Sequence, residues 1–212
     1  FENGLIQDTT IWTFYVRLNS LGANFLADEY KLPKSLSVKE IVETLQKPPE
    51  RKIVWTTFRE GLTMEQTISI LEERADEFDE GAFDIDEFRS ILKTPDSHQF
   101  SSDIDNFLKK YKPAGKSLEG FLYPNTYAFE QEMSSQEVAE MILNEFINQV
   151  STLDIDNGEL EFYRALTLAS IVERESFGES DRAEVAGIFN NRLNIGMHLQ
   201  SDATVNYVTG KS

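Results

Sequence analysis

Three times the sequence sets an apolar residue, then Ser or Thr, then Glu or Gln three positions on: Leu36-Ser37 with Glu40, Leu62-Thr63 with Gln66, and Met133-Ser134 with Glu137. In this spacing the hydroxyl accepts the backbone N–H three residues ahead, and the Glu or Gln side chain accepts the N–H of the capping residue. Each trio therefore fixes a helix start. Val38, Ile41, Val42 and Leu45 then keep helical spacing after the first, as do Met64, Ile68, Leu71 and Ala75 after the second. After the third, Met133 and Val138 stand where a hydrophobic staple would close the helix running to Val150. A chain punctuated this way is built from short helices.

Between the first two helices Pro48-Pro49 breaks the chain, and residues 51–58, rich in β-formers (Ile53, Val54, Trp55, Thr56), read as a strand. A weaker strand is expected at 25–32, giving strand then helix twice over. Residues 84–92 and 103–111 read as short helices separated by Thr94-Pro95, the second ended by Lys112-Pro113. The aromatic stretch 121–129 contains Tyr123-Pro124-Asn125, a turn or edge-strand signal. An apolar helix is expected from Glu159 to about Ser176. Asp181 and Glu184 are expected to open the next, with Gly196 as its C-cap.

Composition narrows the functional classes. The formal net charge of −17 opposes phosphate neutralisation along a nucleic acid and attraction to anionic headgroups. With no Cys there is no disulfide, thiol nucleophile or thiolate metal site, and His98 and His198 alone cannot build a zinc site. No run reaches the roughly 18 consecutive apolar residues of a membrane span. Because the chain opens at Phe1 rather than Met, any anchor or targeting segment is expected upstream.

One carboxylate stands out by position. In the helix from Glu159 the apolar stripe of Leu160, Tyr163, Leu168, Ile171 and Val172 points to Glu175, whereas Glu173 follows the smaller Leu166, Ala169 and Ser170 face. A carboxyl held against apolar side chains has its charged form desolvated, so the expected pKa of Glu175 is raised, as a general acid requires. A solvated, helix-terminal Glu beside Arg174 is the alternative. Asn191, Gln200 and Asp202 are suited to sugar hydroxyls or acetamides, or equally to capping helices and fixing turns. Tyr123, Tyr127 and Tyr207 are candidates for stacking on sugar faces or for the core. Glu119 is a candidate second polar group, and His198 reads as a loop residue.

The motifs around these residues resemble the endolytic murein transglycosylases, the YceG-like family. Residues 168–176, LASIVERES, resemble the family's LASIVEKE helix, and Glu175-Ser176 also resembles the Glu-Ser pair of other lytic transglycosylases. Residues 185–196, VAGIFNNRLNIG, are similar to VFxNRLxxGM, and 197–207, MHLQSDATVNY, to MxLQTDPTVxY. Upstream, residues 119–127, EGFLYPNTY, resemble EGxLFPDTY, and Glu60-Gly61 sits at the family's PEG. Ala203 replaces the family's Pro, and Val208 stands where Gly is usual. The family ordinarily continues through a Tyr-Asn-Thr-Tyr segment and a Gly-Leu-Pro-Pro-Gly turn, so further catalytic-domain sequence is expected beyond Ser212.

The resemblance implies an α+β fold: a partial LysM-like module at 1–48, then a mixed, mainly helical catalytic domain at 49–212, truncated at its C-terminus. It implies cleavage of the β-1,4 bond between N-acetylmuramic acid and N-acetylglucosamine in peptidoglycan glycan strands. Glu175 would be the catalytic residue, and Ser176, Asn191, Gln200, Tyr207, Glu119 and Tyr123 the substrate-binding set, with no metal and no cofactor. Implied too are a location on the cell-wall side of the membrane, an anchor lost upstream of Phe1, and partners among cell-wall synthesis or division proteins. Two other readings stay open: a peptidoglycan-binding or scaffolding module without activity, and a muramidase, which would need a second carboxylate or a positioned water.

Overall fold

The computed structural model describes residues 9–18, 25–27, 30, 32–33, 35–49, 51–153 and 159–209. The chain divides into two compact units, Phe1–Lys52 and Ile53–Ser212. In the first, α1 (Thr9–Leu18) and α2 (Val38–Leu45) are the described elements. The Ser37–Glu40 box is formed, with the Ser37 N–H donating to Glu40 at 2.8 Å, and α2 buries Ile41 and Val42. Trp12 of α1 stacks on Phe25. The described residues within 25–32 are not in a strand: Leu26 gives its N–H to Leu45 at the end of α2 instead of to a ladder. The repeated strand-helix pattern is therefore not met there, and α1 had no counterpart in the sequence reading.

The second unit closes on an antiparallel pair, β1 (Ile53–Thr57) and β2 (Thr126–Glu130), in which Val54 faces Phe129 and Thr56 faces Tyr127. Strand alternation sends Val54, Thr56, Tyr127 and Phe129 inward and leaves Trp55 outside. Two strands alone are marginal in water, so the inner face needs helices against it. These come from the intervening chain as α3 (Met64–Glu72), α4 (Ile85–Lys93) and α5 (Ser102–Tyr111). The small αβ assembly thus lies within 53–130. The Thr63–Gln66 box starts α3, and Asp84 caps α4 by accepting the N–H groups of Asp86 and Glu87.

After β2 comes α6 (Ser135–Val150), opened by the Ser134–Glu137 box. Ser135 and Asp84 exchange hydrogen bonds of 2.9 and 2.7 Å, which tie the starts of α6 and α4 together. Between these helices and the sheet lies the core: Phe88, Ile91, Leu92, Ile104, Leu118, Phe121, Phe129 and Ile142 are wholly buried. Lys112 is buried too, and its ammonium donates to Asp96 (2.7 Å) and to the carbonyls of Lys116 (3.0 Å) and Pro113 (3.2 Å). Every ammonium proton is thus matched, which is what burying a charge demands.

Helix α7 (Glu159–Glu175) docks by its first turns. Phe162 packs on Tyr111 and Phe107, Tyr163 stacks on Phe121, and Leu166 lies 3.4 Å from where a Cβ on Gly120 would stand. Beyond Leu166 the helix leaves the core, with Val172 its buried residue on that stretch. Helix α8 (Glu179–Asn194) packs against this outer part of α7, and α9 (Asp202–Thr209) follows. The start of α8 differs from the expected Asp181–Glu184 cap. Asp181 reaches back to accept the N–H groups of Phe177 (2.9 Å) and Gly178 (3.1 Å), so the helix begins at Glu179. Unit two is α+β and mainly helical. Among the described residues no helix is long and apolar enough to cross a membrane.

Phe121 joins the sheet-and-helix core to α7 and fixes the turn that carries Glu119. Truncating it leaves a cavity beneath Phe146 and Tyr163, so Phe121→Ala is expected to cost about 3–5 kcal/mol in a chemical denaturation experiment.

Candidate active site

The segment joining α8 to α9 is built from backbone geometry first. Gly196 sits at φ +66°, giving its N–H to Leu193 (3.1 Å), while Met197 gives its N–H to Arg192 (2.8 Å). These paired bonds satisfy the last carbonyls of α8, as the sequence reading of Gly196 expected, and only a residue without Cβ adopts that φ without strain. The Arg192 guanidinium donates to the Leu199 carbonyl and pins the loop to α8. Gln200 then takes φ +53°, a left-handed conformation that costs a non-Gly residue about 1 kcal/mol. That kink turns the chain so that Ser201 and Ala203 face the end of α7.

There they meet Glu175. Ser201 donates its hydroxyl to Glu175 Oε1 at 2.5 Å, and Ala203 donates its backbone N–H to the same oxygen at 3.1 Å. Ser201 is buried, and its carbonyl accepts the Thr204 hydroxyl at 2.7 Å. Ala203 belongs to the first turn of α9, whose N–H groups have no partner within the helix and whose dipole is positive at that end. Glu175 thus caps a helix other than its own. Both donors act on Oε1.

This geometry overturns the expected electrostatics. The Ser201 hydroxyl and, after it, the Ala203 amide hold the Glu175 carboxyl below the usual Glu range, against a smaller opposing effect of burial. The apolar stripe on α7 does not enclose the carboxylate, because the outer half of that helix is largely open. At neutral pH Glu175 is ionised in the unliganded protein.

A second carboxylate is tuned the other way. Glu119 accepts the N–H of Met64, first residue of α3, at 3.2 Å on each oxygen. Burial raises its pKa, the Met64 N–H and the nearby Tyr207 hydroxyl pull it down, and the charge of Glu65 adds to the rise. Tyr207 is likewise raised, by burial and by the charge of Glu119.

The structure brings together Glu119 with Tyr207, and Glu175 with the loop containing Gln200, but not the other expected residues. Ser176 turns its hydroxyl back toward the Glu173 carbonyl, 3.5 Å away. Asn191 is exposed on α8, Gln200 serves through its backbone, and His198 is an exposed loop residue. Tyr123 supplies a carbonyl to the Tyr127 hydroxyl at 2.7 Å, and Tyr127 is a core residue whose pKa burial pushes up. Asp202 opens α9 and is exposed. Ser201, Ala203 and Arg192 were missed. The signal for the first two was present: Ser201-Asp202 before a Thr-Val run is an N-cap pattern. Among the described residues no group of three or more His, Asp or Glu converges as metal ligands would.

The mainly helical α+β fold of unit two and the sequence that builds it have known relatives. The chain matches the model of the YceG-like family over residues 1–212 and belongs to that family. It is 29% identical over 222 residues to the endolytic murein transglycosylase of Streptococcus pneumoniae (strain D39), a match covering 98% of this chain and 40% of that protein. To the endolytic murein transglycosylase of Bacillus subtilis (strain 168) it is 26% identical over 216 residues, covering 99% of this chain and 58% of that protein. The chain therefore spans between two fifths and three fifths of these relatives' length. A crystal structure of a YceG-like protein from Listeria monocytogenes shares the fold, with a TM-score of 0.61 at 23% identity over 100% of this chain and 70% of that one.

Because its pKa is depressed in the folded state, Glu175 stabilises the α7–α9 junction above the ordinary Glu pKa. That contribution is lost as pH falls through the lower folded value. Ser201→Ala removes the larger of the two causes, so the Glu175 carboxyl is expected to titrate at higher pH than in the parent. Carbon-detected NMR of the side-chain carboxyls reads this directly, and an unmoved titration would show that Ser201 does not tune it.

Proposed function

We propose that this protein cleaves the β-1,4 bond between N-acetylmuramic acid and N-acetylglucosamine in peptidoglycan glycan strands, without water as the nucleophile, and that Glu175 is the catalytic carboxyl. The observation that carries this is the setting of Glu175: a carboxylate at the α7–α9 junction whose partners are a hydroxyl and an amide, both on Oε1. Among the described residues no hydrogen bond is made to Oε2, which leaves it for a ligand. The names of the pneumococcal and Bacillus relatives support the substrate.

In this mechanism Glu175 carries a proton into the reaction. A glycan strand lying over Oε2 displaces water from it, which disfavours the ionised form and counters the effect of Ser201. Glu175 gives its proton to the glycosidic oxygen as the bond from that oxygen to muramoyl C1 breaks. The resulting carboxylate then takes the proton of the muramoyl C6 hydroxyl, whose oxygen bonds to C1 and closes a 1,6-anhydro ring. One carboxylate suffices because the attacking oxygen belongs to the substrate, whereas hydrolysis by ordinary glycosidases uses a pair at a defined separation. Ser201 and Ala203 hold Oε1 in place for both proton transfers. The substrate lies outside the cell, which puts the protein on the cell-wall face of the membrane in this proposal.

Glu175→Gln keeps the shape of the side chain and the acceptor at Oε1 but has no acidic proton. It is expected to lower glycan-strand cleavage by about 10²–10⁴-fold with the fold unchanged by circular dichroism. Glu173→Gln, on the exposed side of the helix, is expected to leave turnover within the same order of magnitude. Equal losses from the two, or the reverse order, would mean the acid is assigned wrongly. Undiminished cleavage by both would remove Glu175 from the chemistry altogether.

A further inference from the structure

Residues 195–201 turn the chain from the end of α8 to the start of α9. Ile195, Gly196 and Met197 give their N–H groups back to α8 and finish that helix. Among the described residues, what then ties 198–200 down is the Leu199 carbonyl, which accepts the Arg192 guanidinium. Arg192 grips this loop twice, because its own carbonyl accepts the Met197 N–H at 2.8 Å.

The residue after Leu199 needs that grip. Gln200, at φ +53°, lies in a region that a side chain with a Cβ enters at a cost of about 1 kcal/mol. Such a conformation persists only where its surroundings over-determine it. The Gln200 side chain is exposed, so the support comes along the chain from both sides. Before it, Leu199 is held by Arg192; after it, Ser201 is held by Glu175. Losing the first hold lets Gln200 relax toward negative φ, which redirects Ser201 and Ala203, the two donors to Oε1.

We infer that Arg192 is a positioning residue for Glu175: its guanidinium, by holding Leu199, keeps Gln200 kinked and so keeps Ser201 and Ala203 on the carboxylate. The charged side chains flanking that contact, Glu173 and Arg174 on α7 and Asp202 on α9, are exposed. What acts on the Glu175 carboxyl is the Ser201 hydroxyl, the Ala203 amide and burial, with no charged group among them. Arg192 therefore reaches Glu175 through the loop and not through its charge. For its consequence in activity the inference rests on the catalytic role proposed for Glu175; the coupling itself does not.

Arg192→Met keeps an apolar stem, removes the donor, and leaves the backbone bonds of residues 195–197 in place. With helix content unchanged by circular dichroism, the NMR titration of the Glu175 carboxyl is expected to move upward and the Ala203 amide to lose protection from hydrogen exchange. The pH profile of kcat/KM on peptidoglycan glycan strands, which reports groups of the free enzyme, is expected to shift the same way. Gln200→Gly removes the cost of a positive φ; added to Arg192→Met, it is expected to bring the Glu175 titration back toward its parental position. The parent protein supplies a check without substitution: coupling is reciprocal, so the Arg192 side-chain N–H signals are expected to follow the Glu175 titration with the same midpoint. An unmoved Glu175 titration in folded Arg192→Met would overturn the inference. So would a double variant titrating no lower than Arg192→Met, or Arg192 signals in the parent that ignore the Glu175 midpoint. A moved titration together with an active Glu175→Gln protein upholds the coupling and defeats the proposed chemistry; an unmoved one overturns the coupling and leaves that chemistry to stand or fall on Glu175→Gln.

Discussion

The antiparallel pairing of Ile53–Thr57 with Thr126–Glu130 joins segments as far apart in sequence as Thr57 and Thr126, whose hydroxyls meet across 69 residues at 2.9 Å. Everything between must fold back over the inner face to cover Val54, Tyr127 and Phe129, because a two-stranded sheet cannot stand unsupported. That requirement places α3 and α4 on the sheet, and α6, leaving the far end of β2, closes the core from the other side. The turn at Glu119–Gly120 is a by-product of the same closure: it is the last stretch of chain before β2, and Leu118 and Phe121 nail it into the core on either side. A rigid turn is thereby available to receive α7.

The outer helices obey different physics. Past Leu166 the chain buries little apolar surface, and its geometry is decided by hydrogen bonds to helix ends. Asp181 caps α8 from inside the helix, Gly196 and Arg192 finish it, and Glu175 caps α9 from a neighbouring helix. A carboxylate used as a helix cap is held in one position and favours its ionised form, and both properties bear on the acid–base role proposed for Glu175. The position is what a proton transfer needs. In the proposed mechanism the lowered pKa of Glu175 means that its proton comes with the substrate's arrival, through loss of water around Oε2, and not from a standing apolar pocket.

How much of this could be read from sequence depended on range. The helices begun at Ser37, Thr63 and Ser134 start where their boxes said, because both partners of each box lie within four residues. Gly196 was legible for the same reason. The strand at 51–58 was recognised from its β-branched residues, while its partner was legible only as a turn or edge strand within 121–129, since pairing is chosen by the whole core and not by local preference. The described residues of 25–32 form no strand on the same ground: local β-propensity does not by itself supply a pairing partner. Glu175 was singled out by its spacing on α7, yet its environment was misjudged because Ser201 is 26 residues away. Nothing local to α7 says that the next loop will return to cap it, and no helix was expected at 202–209.

The central claim is that one carboxylate suffices at this site because the attacking oxygen comes from the glycan. Digestion of glycan strands in water enriched in oxygen-18, followed by mass spectrometry of the new ends, decides it. The account predicts 1,6-anhydromuramoyl ends carrying no label from the solvent. Reducing muramic acid ends with one labelled oxygen would contradict it, and would make an activated water the nucleophile.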